Sequence, residues 1–328
     1  MISSQLTGRR LWIAALLVPP IAFMCLFLVY PIMSAFAYAF YEWRGLARGE
    51  FVWLANFQRV LFEYPFSERT INAFKHNIFV FFALMVLQNG LGFILAYCLW
   101  RELWGARFHR IAVFLPVVLS TVIVGLLWKL FYHPLFGVVN ATLRAVGLES
   151  LAQPWLGQDS TALTAIVVAN AWHMVGFPTL VFLAGMQRIP SEILDAVRME
   201  TESEWVKMSK IVWPLVAPSA TVVFTLLFVG AFNWFEMPFI MAGVDGSPHG
   251  ATDVLGLYFY RTAFGSMSAS AENFGPGSAL AVLIFLFIAV VSSFITIKLR
   301  KREIQLLKML PIAAHSGPSA GMVSSRSC

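Results

Sequence analysis

The sequence contains six stretches of about twenty residues that are strongly apolar and carry no clustered charge. About twenty such residues, each adding roughly 1.5 Å to a helix, cross the roughly 30 Å hydrocarbon core of a bilayer. Charged residues make up only 12% of the chain, against roughly a quarter in soluble domains. The sequence therefore predicts an all-α polytopic membrane protein with six transmembrane helices, at about residues 11–41, 78–100, 111–130, 162–186, 212–235 and 279–299.

The distribution of Lys and Arg orients these spans. With a cytoplasmic N-terminus, most of the 23 Lys and Arg residues lie on the cytoplasmic side, as the positive-inside rule requires. Six spans return the chain to that side. We therefore expect residues 1–10 to form a cytoplasmic N-terminus, residues 11–307 a six-span domain, and residues 308–328 a disordered cytoplasmic tail. The first stretch is longer than the roughly 7–15 residues of a signal-peptide core, so we expect it to stay uncleaved.

The loop between the fourth and fifth spans, about residues 188–214, is unusually rich in charge. Ser191 is a suitable N-cap for one short helix, and Thr201 with Glu204 fits the capping box of a second. Acidic side chains outnumber basic ones there, although the inner membrane surface is itself negative. The sequence predicts a cytoplasmic helix pair that binds a protein rather than lipid, with an apolar face made of Ile193, Leu194, Val197, Trp205, Met208 and Val212.

The loop from Asp195 to Pro214 follows a recognisable spacing. Asp195-Ala196-Val197 is followed after three residues by Thr201 and, after nine more, by Ile211-Val212-Trp213-Pro214. This resembles the E-A-A-x3-G-x9-I-x-L-P loop of the membrane subunits of binding-protein-dependent ABC importers. The resemblance implies a helix pair that sits in a cleft of an ATPase subunit and transmits its closure, with coupling residues Glu192, Asp195, Ala196, Thr201, Glu204, Ile211 and Pro214.

Thr201 stands where that family has a glycine, which normally permits a positive φ between the two helices. A β-branched residue is strained at positive φ. We therefore expect Thr201 to keep a negative φ and to act as the N-cap of the second helix.

Further segments are similar to the sugar-importing branch of the same family: Tyr30-Pro31, residues 114–140 and residues 251–265. The resemblance implies a permease subunit in the bacterial inner membrane that conducts a sugar, an oligosaccharide or a sugar derivative. It also implies three kinds of protein partner: a second homologous permease subunit, two ATPase subunits and an extracytoplasmic solute-binding protein. The chain has no Gly-Lys dipeptide and hence no phosphate-binding loop. We expect no cofactor in this chain and no enzymatic activity, with ATP and Mg²⁺ bound by the partner ATPases.

Polar residues inside the spans are candidates for the substrate path, because ionisable groups in a membrane are costly and point to function. Amide and carboxylate groups suit sugar hydroxyls. The alternatives are hydrogen bonds between helices and, for Glu236, exposure at the interface. The candidates are Asn89 in the second span, Asn170 and His173 in the fourth, and Asn233 and Glu236 near the outer end of the fifth.

Other functions are less consistent with these residues. A secondary transporter would need ionisable groups for ion coupling, and only His173 and Glu236 approach that. An intramembrane enzyme would need converging acids, bases or metal ligands, and the six His and three Cys have no metal-ligand spacing. The basic residues are scattered over several loops, so the net charge of +6 reflects topology, and lipid rather than nucleic acid is the expected surrounding.

Overall fold

The computed structural model describes residues 2–45, 47–101, 105–265 and 273–309, so most of the predicted tail lies outside the described residues. The described residues are mostly helical, and their two strands form a small hairpin. In order, the elements are α1 (Ile2–Met24), α2 (Tyr30–Tyr38), β1 (Tyr41–Arg44), β2 (Ala47–Phe51), α3 (Ala55–Phe62), α4 (Phe66–Leu84), α5 (Leu91–Trp100), α6 (Ala106–Val118), α7 (Thr121–Phe131), α8 (Val138–Ala145), α9 (Asp159–Met174), α10 (Gly176–Met186), α11 (Ser191–Glu200), α12 (Glu204–Val206), α13 (Trp213–Leu215), α14 (Ala217–Phe232), α15 (Glu236–Ala242), α16 (Leu255–Phe264) and α17 (Phe274–Met309).

Within the part of the chain that the structure describes, three helical stretches are long and apolar enough to cross a membrane without a break: Ala15–Tyr38, Phe66–Trp100 and Phe274–Lys301. π-helical turns join α1 to α2 and α4 to α5 within the first two. Three more candidates are pairs of helices that meet at a bend: α6 with α7, α9 with α10, and the Glu204–Leu215 segment with α14. When each bent pair counts as one span, the number is the predicted six.

The third, fourth and fifth spans each contain a bend, of 102°, 43° and 75° respectively. In the third, Leu119 and Ser120 adopt extended conformations that interrupt the helix, three residues after Pro116. In the fifth, the break falls at Val216, whose ψ of 11° is not helical and which lies between two prolines.

The helix that contains the second span starts earlier in the chain than predicted. The second span begins at Phe66, twelve residues before the predicted start at residue 78. The segment before it contains α3 and the antiparallel hairpin, in which Tyr41 pairs with Phe51. The first helix begins at Ile2, so the residues expected to form the N-terminal segment are helical from that position onward.

The buried core lies where the second, fourth and fifth spans meet, flanked by α16 and α17. Small residues allow the closest approaches: a Cβ on Gly92 of α5 would lie 2.9 Å from the Pro178 ring of α10. Such residues are typical of helix contacts in membranes, where packing rather than water exclusion drives association. The first span is different, because residues 15–29 are all exposed and only α2 packs on α17, with Phe36 against Phe285.

Candidate substrate cavity and coupling loop

A cavity of about 740 Å³ opens between the second, fourth and fifth spans and is completed by α15 and α16. All five residues predicted for the substrate path lie in its wall. The sequence interpretation placed them on three separate spans, and the fold brings them to one volume. The five are Asn89, Asn170, His173, Asn233 and Glu236.

Part of this polar set forms hydrogen bonds between helices, which was the alternative interpretation. The indole N–H of Trp234 donates to the Asn170 side-chain oxygen at 3.2 Å. The Asn170 amide in turn donates to Gln88 at 3.5 Å. Asn170 therefore ties the second span to the outer end of the fifth while it lines the cavity.

The remaining polar groups leave acceptor positions in the wall. Asn89 is buried, and within the described part of the chain its side-chain oxygen has no hydrogen-bond partner. His173 Nε2 lies 3.1 Å from the Leu119 carbonyl oxygen, which can only accept, so this nitrogen carries the proton. Glu236 is the first residue of α15 and is exposed at the cavity. These groups can accept hydrogen bonds from a hydroxylated ligand.

Aromatic rings also line the cavity beside these polar groups, and the sequence analysis did not single them out. Trp234, Phe235 and Tyr260 line the cavity, and the rings of Phe235 and Tyr260 are 5.1 Å apart. Thirty Phe and eleven Trp in the chain mask such a signal. The one local clue is that Trp234 and Phe235 stand directly between Asn233 and Glu236.

The charged loop forms the predicted pair of helical segments, but its caps differ from the prediction. Thr201 has φ −152°, so the expectation of a negative φ is confirmed. It is not the N-cap, because residues 201–203 stay outside the helix and Ser203 accepts the hydrogen bond from the Val206 N–H. Ser191 is the first helical residue rather than the cap, with Pro190 before it.

Glu204 points toward its own chain and fixes the loop to the end of the second span. The Tyr97 hydroxyl donates to its carboxylate at 2.7 Å. Arg101 and Lys207 form ion pairs with it at 3.0 and 3.2 Å. This predicted coupling residue therefore anchors the loop within the chain.

The inner side of the loop packs against the spans. Leu194, Val197 and Ile211 face a cleft of about 390 Å³ whose other wall is the end of α5. Val212 is 2% exposed and belongs to a buried cluster with residues of α5, α10 and α14. The Trp213 ring lies 4.9 Å from Phe93 of α5 in an edge-on contact. A displacement of the loop would thus be transmitted directly to three spans.

The outer side of the loop is open. Glu192, Asp195 and Ala196 are exposed on α11. Two large apolar side chains, Met199 and Trp205, are 89% and 71% exposed. Exposed apolar groups with a charged rim are typical of a protein-binding surface.

Comparison with known proteins identifies the family. Residues 88–303 match the family described as binding-protein-dependent transport system inner membrane component. The chain belongs to this family. It is 30% identical over 274 residues to the probable ABC transporter permease YurN of Bacillus subtilis, covering 82% of this chain and 89% of YurN. It is 25% identical to the probable starch degradation products permease AmyD of Thermoanaerobacterium thermosulfurigenes, covering 90% and 96% of the two chains.

The permease fold is also that of a solved structure. A chain of a bacterial alginate ABC transporter, in complex with its pentasaccharide-bound periplasmic protein, gives a TM-score of 0.74 at 21% identity and covers 90% of this permease and 96% of that chain. Family membership confirms the interpretation as a membrane transport subunit of an ABC importer rather than an enzyme. The alternatives of a secondary transporter and an intramembrane enzyme are set aside.

Proposed function

We propose that this permease forms part of the translocation path for a saccharide and that the 740 Å³ cavity is the binding site along that path. The observation that carries the proposal is the meeting of amide, carboxylate and aromatic groups in one volume between the spans. Amides and carboxylates bond to sugar hydroxyls, and aromatic faces pack against apolar faces of sugar rings. Relatives with named substrates, such as the starch-product permease, support the same substrate class.

The loop from α11 to α13 is the proposed contact with an ATPase subunit in the cytoplasm. Met199 and Trp205 would insert into the partner, with Glu192 and Asp195 as the charged rim. Closure of the ATPases, which bind ATP and Mg²⁺, would move Val212 and Trp213 and so tilt the spans that enclose the cavity. This is a two-state element biased by a ligand at a distance. Both chain termini would lie on this cytoplasmic side.

Two further partners follow from surfaces of the chain. The first span leaves residues 15–29 without buried contacts, which suits packing against a second permease subunit as well as lipid. The segment that begins at α15, beyond the predicted outer end of the fifth span, carries an ordered turn between α15 and α16, and it is the proposed docking surface for a solute-binding protein.

Co-purification tests the cytoplasmic contact. We expect Glu192→Lys combined with Asp195→Lys to abolish association with the partner ATPase while the protein remains in the membrane. The matched control is Glu63→Lys with Glu149→Lys, which reverses two exposed charges outside the loop. Association that survives the first pair unchanged would remove these acids from the contact.

Uptake into vesicles tests the substrate path. Saccharide uptake by the complete transporter should require both ATP and the solute-binding protein, and Trp234→Ala should reduce it while expression is unchanged. Uptake that proceeds without the ATPases would contradict the proposed mechanism.

A further inference from the structure

The cavity wall contains few charged side chains for a site that would bind a polar ligand. Of the described residues that line it, Glu236 is the only one with a carboxylate, His173 is the only imidazole, and none is Lys or Arg. Arg261 follows the wall residue Tyr260, but its guanidinium is paired with Asp253. No cationic side chain of the described wall is therefore placed to neutralise an acidic ligand.

The hydrogen-bonding groups point the same way. The Asn89 side-chain oxygen is buried and has no partner among the described residues. His173 Nε2 donates to the Leu119 carbonyl, so this nitrogen is already occupied and does not bind an anionic ligand. The carboxylate of Glu236, the first residue of α15, is a further hydrogen-bond acceptor. Hydroxyl and ammonium groups satisfy these acceptors, whereas carboxylates, sulfates and phosphates cannot.

We propose that this cavity selects saccharides that lack acidic groups, either neutral or amine-bearing, and that Glu236 is the residue that excludes acidic ones. The inference rests on the proposed saccharide path and adds its charge class. Two like charges near a protein surface repel more strongly than in bulk water, because the effective dielectric constant there is lower than that of water. The structural relative transports alginate, an acidic polysaccharide, so the shared fold does not carry the substrate charge with it.

Direct binding to the purified transporter separates this selection from that of the solute-binding protein. The complete membrane complex, reconstituted in nanodiscs without the binding protein, is titrated with maltotriose, cellotriose and tri-N-acetylchitotriose, and with the C6-carboxylate counterpart of each. Saturation-transfer NMR reports these weak affinities. We expect at least one neutral trisaccharide to bind and its carboxylate counterpart to bind at least about tenfold more weakly.

Variants then assign the effect to one residue. Glu236→Gln should narrow the affinity gap between each neutral trisaccharide and its acidic counterpart about tenfold. Glu236→Lys should narrow this gap further or reverse it. Glu149→Gln, which removes an exposed acid outside the cavity wall, should leave the gap unchanged.

The outcomes that contradict the inference differ from those that contradict the proposed function. An acidic trisaccharide that binds wild-type protein as well as its neutral counterpart would overturn the charge selection and leave the saccharide path intact. A gap that persists in a folded Glu236→Gln protein would overturn the role of Glu236. Failure of every trisaccharide to bind would overturn the saccharide path, and the inference with it.

Discussion

The buried ion pair between Arg261 and Asp253 fixes the turn between α15 and α16, and its removal should open that turn. The two side chains are only 13% and 6% exposed. Both guanidinium NH groups contact the carboxylate, one of them at 2.8 Å, and Nη1 also donates to the Val244 carbonyl. The pair therefore ties both ends of the turn together.

The magnitude follows from this burial. Removing one partner of a buried ion pair typically costs about 3–5 kcal/mol, because the other charge is left uncompensated. Arg261→Met keeps most of the aliphatic stem and removes the charge together with the guanidinium hydrogen bonds. Since about 1.4 kcal/mol changes an equilibrium tenfold, amides of the turn should open at least about a hundredfold more often.

Hydrogen–deuterium exchange on peptides that cover residues 243–253 measures this opening, because local exchange reports local unfolding. Arg59→Met is the matched control: its partner Glu63 is 3.5 Å away, the two side chains are 45% and 59% exposed, and an exposed pair contributes at most about 1 kcal/mol. Equal, small changes at the two sites would refute the reasoning. Adding Asp253→Asn to Arg261→Met should recover part of the protection.

Three further predictions concern packing around the cavity and the loop. Gly256→Ala should lower the free energy of unfolding by about 1–3 kcal/mol in a thermal unfolding assay, because the added Cβ would lie 2.6 Å from the Trp234 carbonyl oxygen. The control Gly230→Ala adds a Cβ into open space and should be tolerated in that assay. Asn77→Ala should cost about 2–4 kcal/mol in detergent unfolding, since it breaks bonds of 2.6 and 2.7 Å to backbone groups of α14 and α16. Val212→Ala should cost about 2 kcal/mol and reduce uptake per ATP hydrolysed, without loss of ATPase association, because it loosens the buried end of the loop.

The sequence was sufficient to predict six candidate spans, with each bent pair counted as one, and the pair of helices in the charged loop. Apolarity and length are properties of a single stretch of chain, so they need no partner to be recognised. The position of the bends could not be predicted in the same way. Pro116 lies inside α6 and leaves it helical up to Val118, whereas the break comes at Leu119 and Ser120, where α6 gives way to α7.

The cap of the second loop helix shows the same limit at a smaller scale. The pattern of Thr201 and Glu204 fits a capping box, but the cap is decided by the backbone angles of the residues between them. Glu204 instead meets Tyr97 and Arg101 at the end of another span. A contact between residues so far apart in the chain leaves no local trace in the sequence.

The sequence by itself determined the membrane class, the six apolar segments and the spacing of the charged loop, because each depends on residues close together in the chain. It also identified the polar side chains within the apolar segments, which are costly to place in hydrocarbon. Only the tertiary structure decided that Asn89, Asn170 and Glu236 share one cavity and that an aromatic group completes it. The physical reason is helix packing. Contacts between neighbouring spans set the rotation and bend of each span, and these determine which face of the span turns toward the cavity.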